Sequence, residues 1–166
     1  MRLALLLIFA PFQALAWEFF PSPICTLSHE TDEAKLVITH DPAVPEYRLE
    51  ISLDSVSWVT SATFGIAFQG GTELTIGTDR HRTDGVALSV ADRGFGNVLD
   101  GLEFNRTATV FTEEQAVAFS LAGAQEPVRD FRDCAESLHL SWLGLLGHNG
   151  QQPRATHHRN EGPGGF

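Results

Sequence analysis

Apolar and polar positions alternate with a period of two along most of this chain, and the cleanest run sets the pattern. Tyr47, Leu49, Ile51 and Leu53 fall on one side, with Arg48, Glu50, Ser52 and Asp54 on the other, which predicts a strand with one wet face. The same period recurs from Cys25 towards Glu30, and at Leu36, Ile38 and His40. It recurs again at Phe64, Ile66 and Phe68, around Ala108, Val110 and Phe111, and from Ala116 to Leu121. Thr31-Asp32-Glu33, Asp41-Pro42-Ala43-Val44-Pro45, Gly70-Gly71 and Glu113-Glu114-Gln115 separate these runs with turn-forming residues, and the prolines cannot donate to a sheet ladder. Trp17 to Pro23 reads as an extended lead-in laid over the edge of the core. Val56 to Val59 is either a strand or an irregular connection around Trp58.

Two further alternating runs, Leu74–Thr78 and Val86–Val90, are predicted to form a hairpin. A two-residue turn at Asp84-Gly85 would set even positions against odd ones and put one apolar set on the wrong face. The expected connection is therefore a loop of about five residues within Asp79–Gly85, with Arg80, His81 and Arg82 at or beside its tip. After it, Gly94 and Gly96 flank Phe95, and Val98, Leu99 and Leu102 suit one or two helical turns capped by Asn97.

Near the end the period changes from two to that of a helix. Over Ala124–Glu136, with Pro127 in the first turn, Val128, Phe131, Cys134 and Ala135 share one stripe, while Arg129, Asp130, Arg132 and Asp133 lie outside it. The expected fold is mostly β, an antiparallel β-sandwich or barrel of about seven to nine strands with one C-terminal helix. Leu138 to Leu146 is a brief apolar cluster expected to dock on the body or meet a partner. The residues from 147 to 166 are rich in Gly, Pro, His and Asn, a composition of disorder. This divides the chain into 1–16, a single β-rich domain at 17–136, and a largely disordered tail at 137–166.

The N-terminus changes the picture of where the domain works. Arg2, the apolar run LALLLIFAPFQALA and the Ala14-Leu15-Ala16 ending have the three parts of a secretory signal peptide, with cleavage expected after Ala16. Pro11 and Gln13 interrupt the run, so it is too short to anchor in a bilayer. The expected location is periplasmic or secreted. Cleavage leaves 150 of the 166 residues, and because Arg2 is the only charge lost, the net charge moves from −10 to −11. That length suits one core, which buries roughly two thirds of the unfolded surface. With Lys35 the only lysine, the acidic surface repels phosphate backbones and argues against nucleic-acid or anionic-membrane binding. Cys25 and Cys134 are the only cysteines, and in an exported chain an even count favours a disulfide, here across 109 positions.

Candidate chemistry is sparse. Asp79, Arg80, His81, Arg82, Asp92 and Arg93 form the densest polar group, one that could clamp an anion or place a general base, or simply form a solvated tip. Phe95 and Asn97 extend this surface. GFGN is followed by Val98 and Leu99, with Leu99 where a dinucleotide fingerprint needs its third glycine, and no phosphate-binding G-x-x-x-x-G-K-[ST] exists. His29-Glu30 lacks the second histidine of a zinc-protease helix. His29 and His40 sit on separate strands and could meet as ligands, though a partly exposed strand histidine is the plainer reading. His148, His157 and His158 could hold a transition metal only loosely. No cofactor or specific metal is implied, and no G-x-S-x-G occurs. Paired carboxylates leave no fixed spacing to look for. Asn105-Arg106-Thr107 matches a glycosylation tripeptide that would matter only in a eukaryotic secretory pathway.

Five segments carry a resemblance: WEF from Trp17, C-x-L-x-H-E from Cys25, TDRH from Thr78, DRGFGNVLDGLEFN from Asp92, and PVRDFRDC ending at Cys134. In these, over about Trp17–Glu136, the chain resembles a family of short exported alphaproteobacterial proteins that are labelled as the helicase-like component of excinuclease ABC. In size and architecture it is more loosely similar to small periplasmic β proteins of the invasion-associated locus B type. The resemblance implies no transferable activity. ATP-dependent DNA repair would need a P-loop and a cytoplasmic address, and residues after Glu136 depart from the pattern. The expected function is a non-enzymatic exported module, a monomer, that binds another protein or a small ligand through Asp79–Arg93 and Gly94–Asn105. The alternative is a periplasmic hydrolase using His81 or paired carboxylates.

Overall fold

A computed structural model describes residues 16–41 and 43–147, and side chains as far as Ser137. Among the described residues, ten strands form two antiparallel sheets and there are two helices. In chain order the elements are β1 (Glu18–Phe20), β2 (Cys25–Glu30), β3 (Ala34–Asp41), β4 (Glu46–Leu53), β5 (Phe64–Gln69), β6 (Leu74–Thr78), β7 (Arg82–Asp84), β8 (Ala87–Asp92), α1 (Gly96–Phe104), β9 (Thr107–Phe111), β10 (Ala116–Ser120) and α2 (Gln125–Gly147). One sheet has the order β1-β2-β3-β4-β8-β7 and the other β10-β9-β5-β6. The arrangement is an open sandwich, not a closed barrel: β6 and β7 are edge strands of different sheets.

Alternation drives this layering. In β4, Leu49, Ile51 and Leu53 are buried while Arg48 and Glu50 are exposed, and their partners Ile38, Leu36 and Ala34 on β3 face the same core. From the other sheet come Phe64, Ile66, Phe68, Ala108, Val110, Val117 and Phe119, and the helices add Val98, Leu99, Leu102, Val128 and Phe131, all in one continuous cluster. Trp17, buried at the head of the lead-in, donates its Nε1–H to the Ser120 carbonyl at 3.0 Å and so ties the first strand to the second sheet. The Val56–Val59 stretch is a connection; the Trp58 indole is buried and donates to the Ile51 carbonyl at 3.0 Å.

The expected hairpin does not form. β6 pairs with β5 in one sheet, whereas β8 pairs with β4 and β7 in the other. The parity argument against a tight Asp84-Gly85 turn assumed the wrong partner strand. Asp84 faces Ala87 and Arg82 faces Ser89, so the connecting loop is Gly85-Val86, with Gly85 at φ 57° in the left-handed region that this turn position demands. Even residues do oppose odd ones, but β7 is a short edge strand with no apolar face to keep inward. Asp79–His81 is thus the passage between sheets, not a hairpin tip.

Both helices also differ from expectation at their ends. Phe95, not Asn97, occupies the N-cap of α1, with no side-chain cap hydrogen bond, and Asn97 lies within the first turn. α1 makes a second helix where a single C-terminal one was expected as a full element. α2 continues beyond Glu136 to Gly147, because the leucine-rich Leu138–Leu146 run contains no proline to stop it. The expected disordered tail therefore overlaps the helix at 137–147, and its remainder, with His148, His157 and His158, lies outside the described residues, as does the 1–15 part of the expected signal segment. Cys25 and Cys134 form a disulfide, with Cα atoms 6.1 Å apart, that joins β2 to α2.

Candidate functional site

The passage from β6 to β7 crosses from one sheet to the other beside a gap in the sandwich. A crevice of about 140 Å³ opens between the sheets there. Leu49 and Val90 line it from the first sheet, Phe64, Ile66 and Ile76 from the second, and Phe95 and Val98 from the start of α1. Ile76, Thr78 and Val90 are only half-buried, although their strand positions point them inward. The backbones of Gly77 and Gly94 and the side chains of Thr78, Arg80 and Asp92 complete the lining.

Two charged side chains sit at the mouth. The Arg80 guanidinium donates through Nη2 to Asp92 Oδ2, and the other carboxylate oxygen, Oδ1, accepts from the Gly94 N–H at 3.1 Å. Arg80 is positioned from behind, because its own N–H donates to Thr78 Oγ1 at 3.0 Å. The Gly94 N–H holds the Asp92 carboxyl below the usual carboxylate range, slight burial opposes this, and the Arg80 charge adds to the lowering. Asp92 therefore stays ionised at neutral pH. Behind the crevice, Phe95 stacks on Tyr47 at 5.5 Å, and Tyr47 in turn meets His40 at 4.5 Å and Phe131 at 6.2 Å. Burial pushes the Tyr47 phenol up, the Glu136 carboxylate pushes the same way, and Arg132 opposes them. The phenol is neutral, a wall and not a base.

Of the residues singled out from sequence, the structure brings Arg80, Asp92 and Phe95 together at the crevice. Asp79, Arg82, Arg93 and Asn97 are exposed beside it and do not line it. His81 packs its ring on Phe64 at 6.0 Å, with Nδ1 buried and without a hydrogen-bond partner, and is likewise outside the lining. His29 and His40 do not meet. His29 lies opposite Leu36 and His40 opposite Cys25, which puts them four residues apart along the ladder, or roughly 13 Å. Among the described residues no group of three or more His, Cys, Asp or Glu side chains could hold a metal, and no helix is long and apolar enough to cross a membrane.

Sequence reasoning missed Thr78, Ile76, Leu49, Phe64 and Ile66 as site residues, and took in Val90 and Val98 only as parts of the segments Asp79–Arg93 and Gly94–Asn105. The alternation of the strand residues and the helical spacing of Val98 were visible, but they signal only an inward face and say nothing of whether that face is filled. No protein-family model, curated protein or solved structure matches this chain.

Proposed function

We propose that this protein is an exported binding module that takes the apolar part of a small ligand into the inter-sheet crevice. The observation that carries the reading is the pairing of an open, mostly aliphatic and aromatic cavity with a single ion pair at its mouth. Ligand sites are generally concave and apolar, with a few placed polar groups that orient the guest. The volume is close to that of an engineered cavity of about 150 Å³ that stays dry and admits benzene. Export is supported by the signal-like N-terminus and by the Cys25–Cys134 bridge, since disulfides persist in oxidising compartments. The hydrolase alternative draws no support from the crevice: Asp92 is the sole carboxylate in its lining, and His81 faces Phe64.

Amide NMR of the oxidised protein titrated with benzene tests this. Saturable shifts at Ile76, Val90 and Val98 are expected, and Ile76→Phe, which puts extra carbons into the open space, should abolish them. Shifts that never saturate, or that gather elsewhere and ignore Ile76→Phe, overturn the proposal.

A further inference from the structure

Resting on that reading, we infer that the ligand is an amphiphile whose carboxylate head docks on Arg80 while a tail of about six carbons fills the crevice. Three observations on the ion pair choose the sign of the head. A guanidinium carries five N–H donors in a planar fork, and Arg80 spends one contact on Asp92 while its side chain remains 71% exposed. Donors are therefore left for a second anion without breaking the first pair. Asp92, by contrast, has both oxygens engaged, Oδ1 by the Gly94 N–H and Oδ2 by Arg80. Its side chain is only 31% exposed against 71% for Arg80, so an ammonium seeking the lone pairs that remain would meet the more exposed Arg80 charge first. Gly94 has a further effect: because Asp92 keeps that bond, Arg80 can tilt towards a ligand without leaving a carboxylate unpartnered.

Geometry sets the tail. Arg80 and Asp92 stand at the opening, and Ile76, Val90 and Val98 line the apolar space beyond, so a carboxylate at the mouth leaves its carbon chain pointing inward. Each methylene that enters should raise affinity about fourfold, the equivalent of the usual transfer free energy of one buried CH₂. The gain should stop once the volume is full and further carbons protrude.

The experiment is a titration of the oxidised full chain, followed by amide NMR, with butanoate, hexanoate and octanoate, and with hexan-1-ol and hexylamine as head-group controls. Affinity should rise from butanoate to hexanoate and level off by octanoate. Hexanoate should bind about tenfold tighter than hexan-1-ol, a charge-assisted hydrogen bond's difference. Arg80→Gln should erase that tenfold by weakening hexanoate far more than hexan-1-ol; the side chain is exposed, and an unchanged amide spectrum elsewhere will show that the fold is kept. If hexan-1-ol or hexylamine binds as tightly as hexanoate, or Arg80→Gln changes nothing, the head-group inference falls and the crevice reading stands. If none of the compounds binds, both fall.

Discussion

Gly101 shows how one missing carbon decides a packing problem. On an exposed helix, Gly→Ala is worth up to about 1 kcal/mol in favour of alanine. On α1, however, a Cβ at position 101 would stand 2.4 Å from ring carbons of Phe68, itself 1% exposed and held by the core around it. Overpacking of that kind costs about 1–3 kcal/mol, so the sign reverses: Gly101→Ala should lower stability by about 1–2 kcal/mol in urea unfolding. His29 gives a second residue-scale outcome. It is 4% exposed, stacked on Trp17 at 4.6 Å and edge-on to Phe119 at 6.2 Å, and burial lowers its pKa while a backbone hydrogen bond with Ala16 partly opposes that. The unfolded chain takes up this proton near the ordinary 6.5, the folded chain only at lower pH. Between those two values the unfolded state binds more protons, so stability falls as pH drops below 6.5 and is unaffected by this group above it. Urea midpoints measured on either side of that value should decline on the acid side, and His29→Phe should decline less. Both His29 and His40 are buried, which corrects the expectation of partly exposed strand histidines; the signal was that Cys25, Leu27 and His29 share the inward phase of β2.

At the scale of elements, alternation told where strands lie but not which strands meet. β2 to β5, β9 and β10 fall where the period of two put them, within a residue or two. Leu74–Thr78 and Val86–Val90 also carry that period, yet nothing in either run says that they belong to different sheets. The information lay in Arg82–Asp84, a polar three-residue strand with no apolar signature of its own. The helices were joined by contacts equally hidden from sequence. Glu103 on α1, with a side chain 7% exposed, accepts from Arg129 Nε at 2.7 Å and lies 3.3 Å from Arg132 Nε on α2, while Arg132 also reaches Asp100. Because the carboxylate is buried and its arginines are partly solvated, the pair network should be worth more than a surface bridge and less than a fully buried one. Glu103→Gln is expected to cost about 1–2 kcal/mol in urea unfolding, and its cost and that of Arg132→Gln should not add in a double-mutant cycle.

For the whole molecule, the fold class was legible and the site only in part. Arg80, Asp92 and Phe95 stood out as a polar group beside a glycine-flanked aromatic, whereas the crevice they border is lined by residues of both sheets and of α1, which no local pattern brings together. The pairing of Cys25 with Cys134 needed no geometry, since no other cysteine exists. Closing 109 positions should stabilise the fold by up to about 4–5 kcal/mol through the entropy of the unfolded chain. Reduction, or Cys134→Ser, should therefore shift the denaturant midpoint far more than any single substitution above. The same bridge makes the body a covalent ring. A protease that clips an exposed bond such as those around Asp79 opens the ring without producing two molecules, and the fragments would migrate apart in a denaturing gel only after a thiol is added.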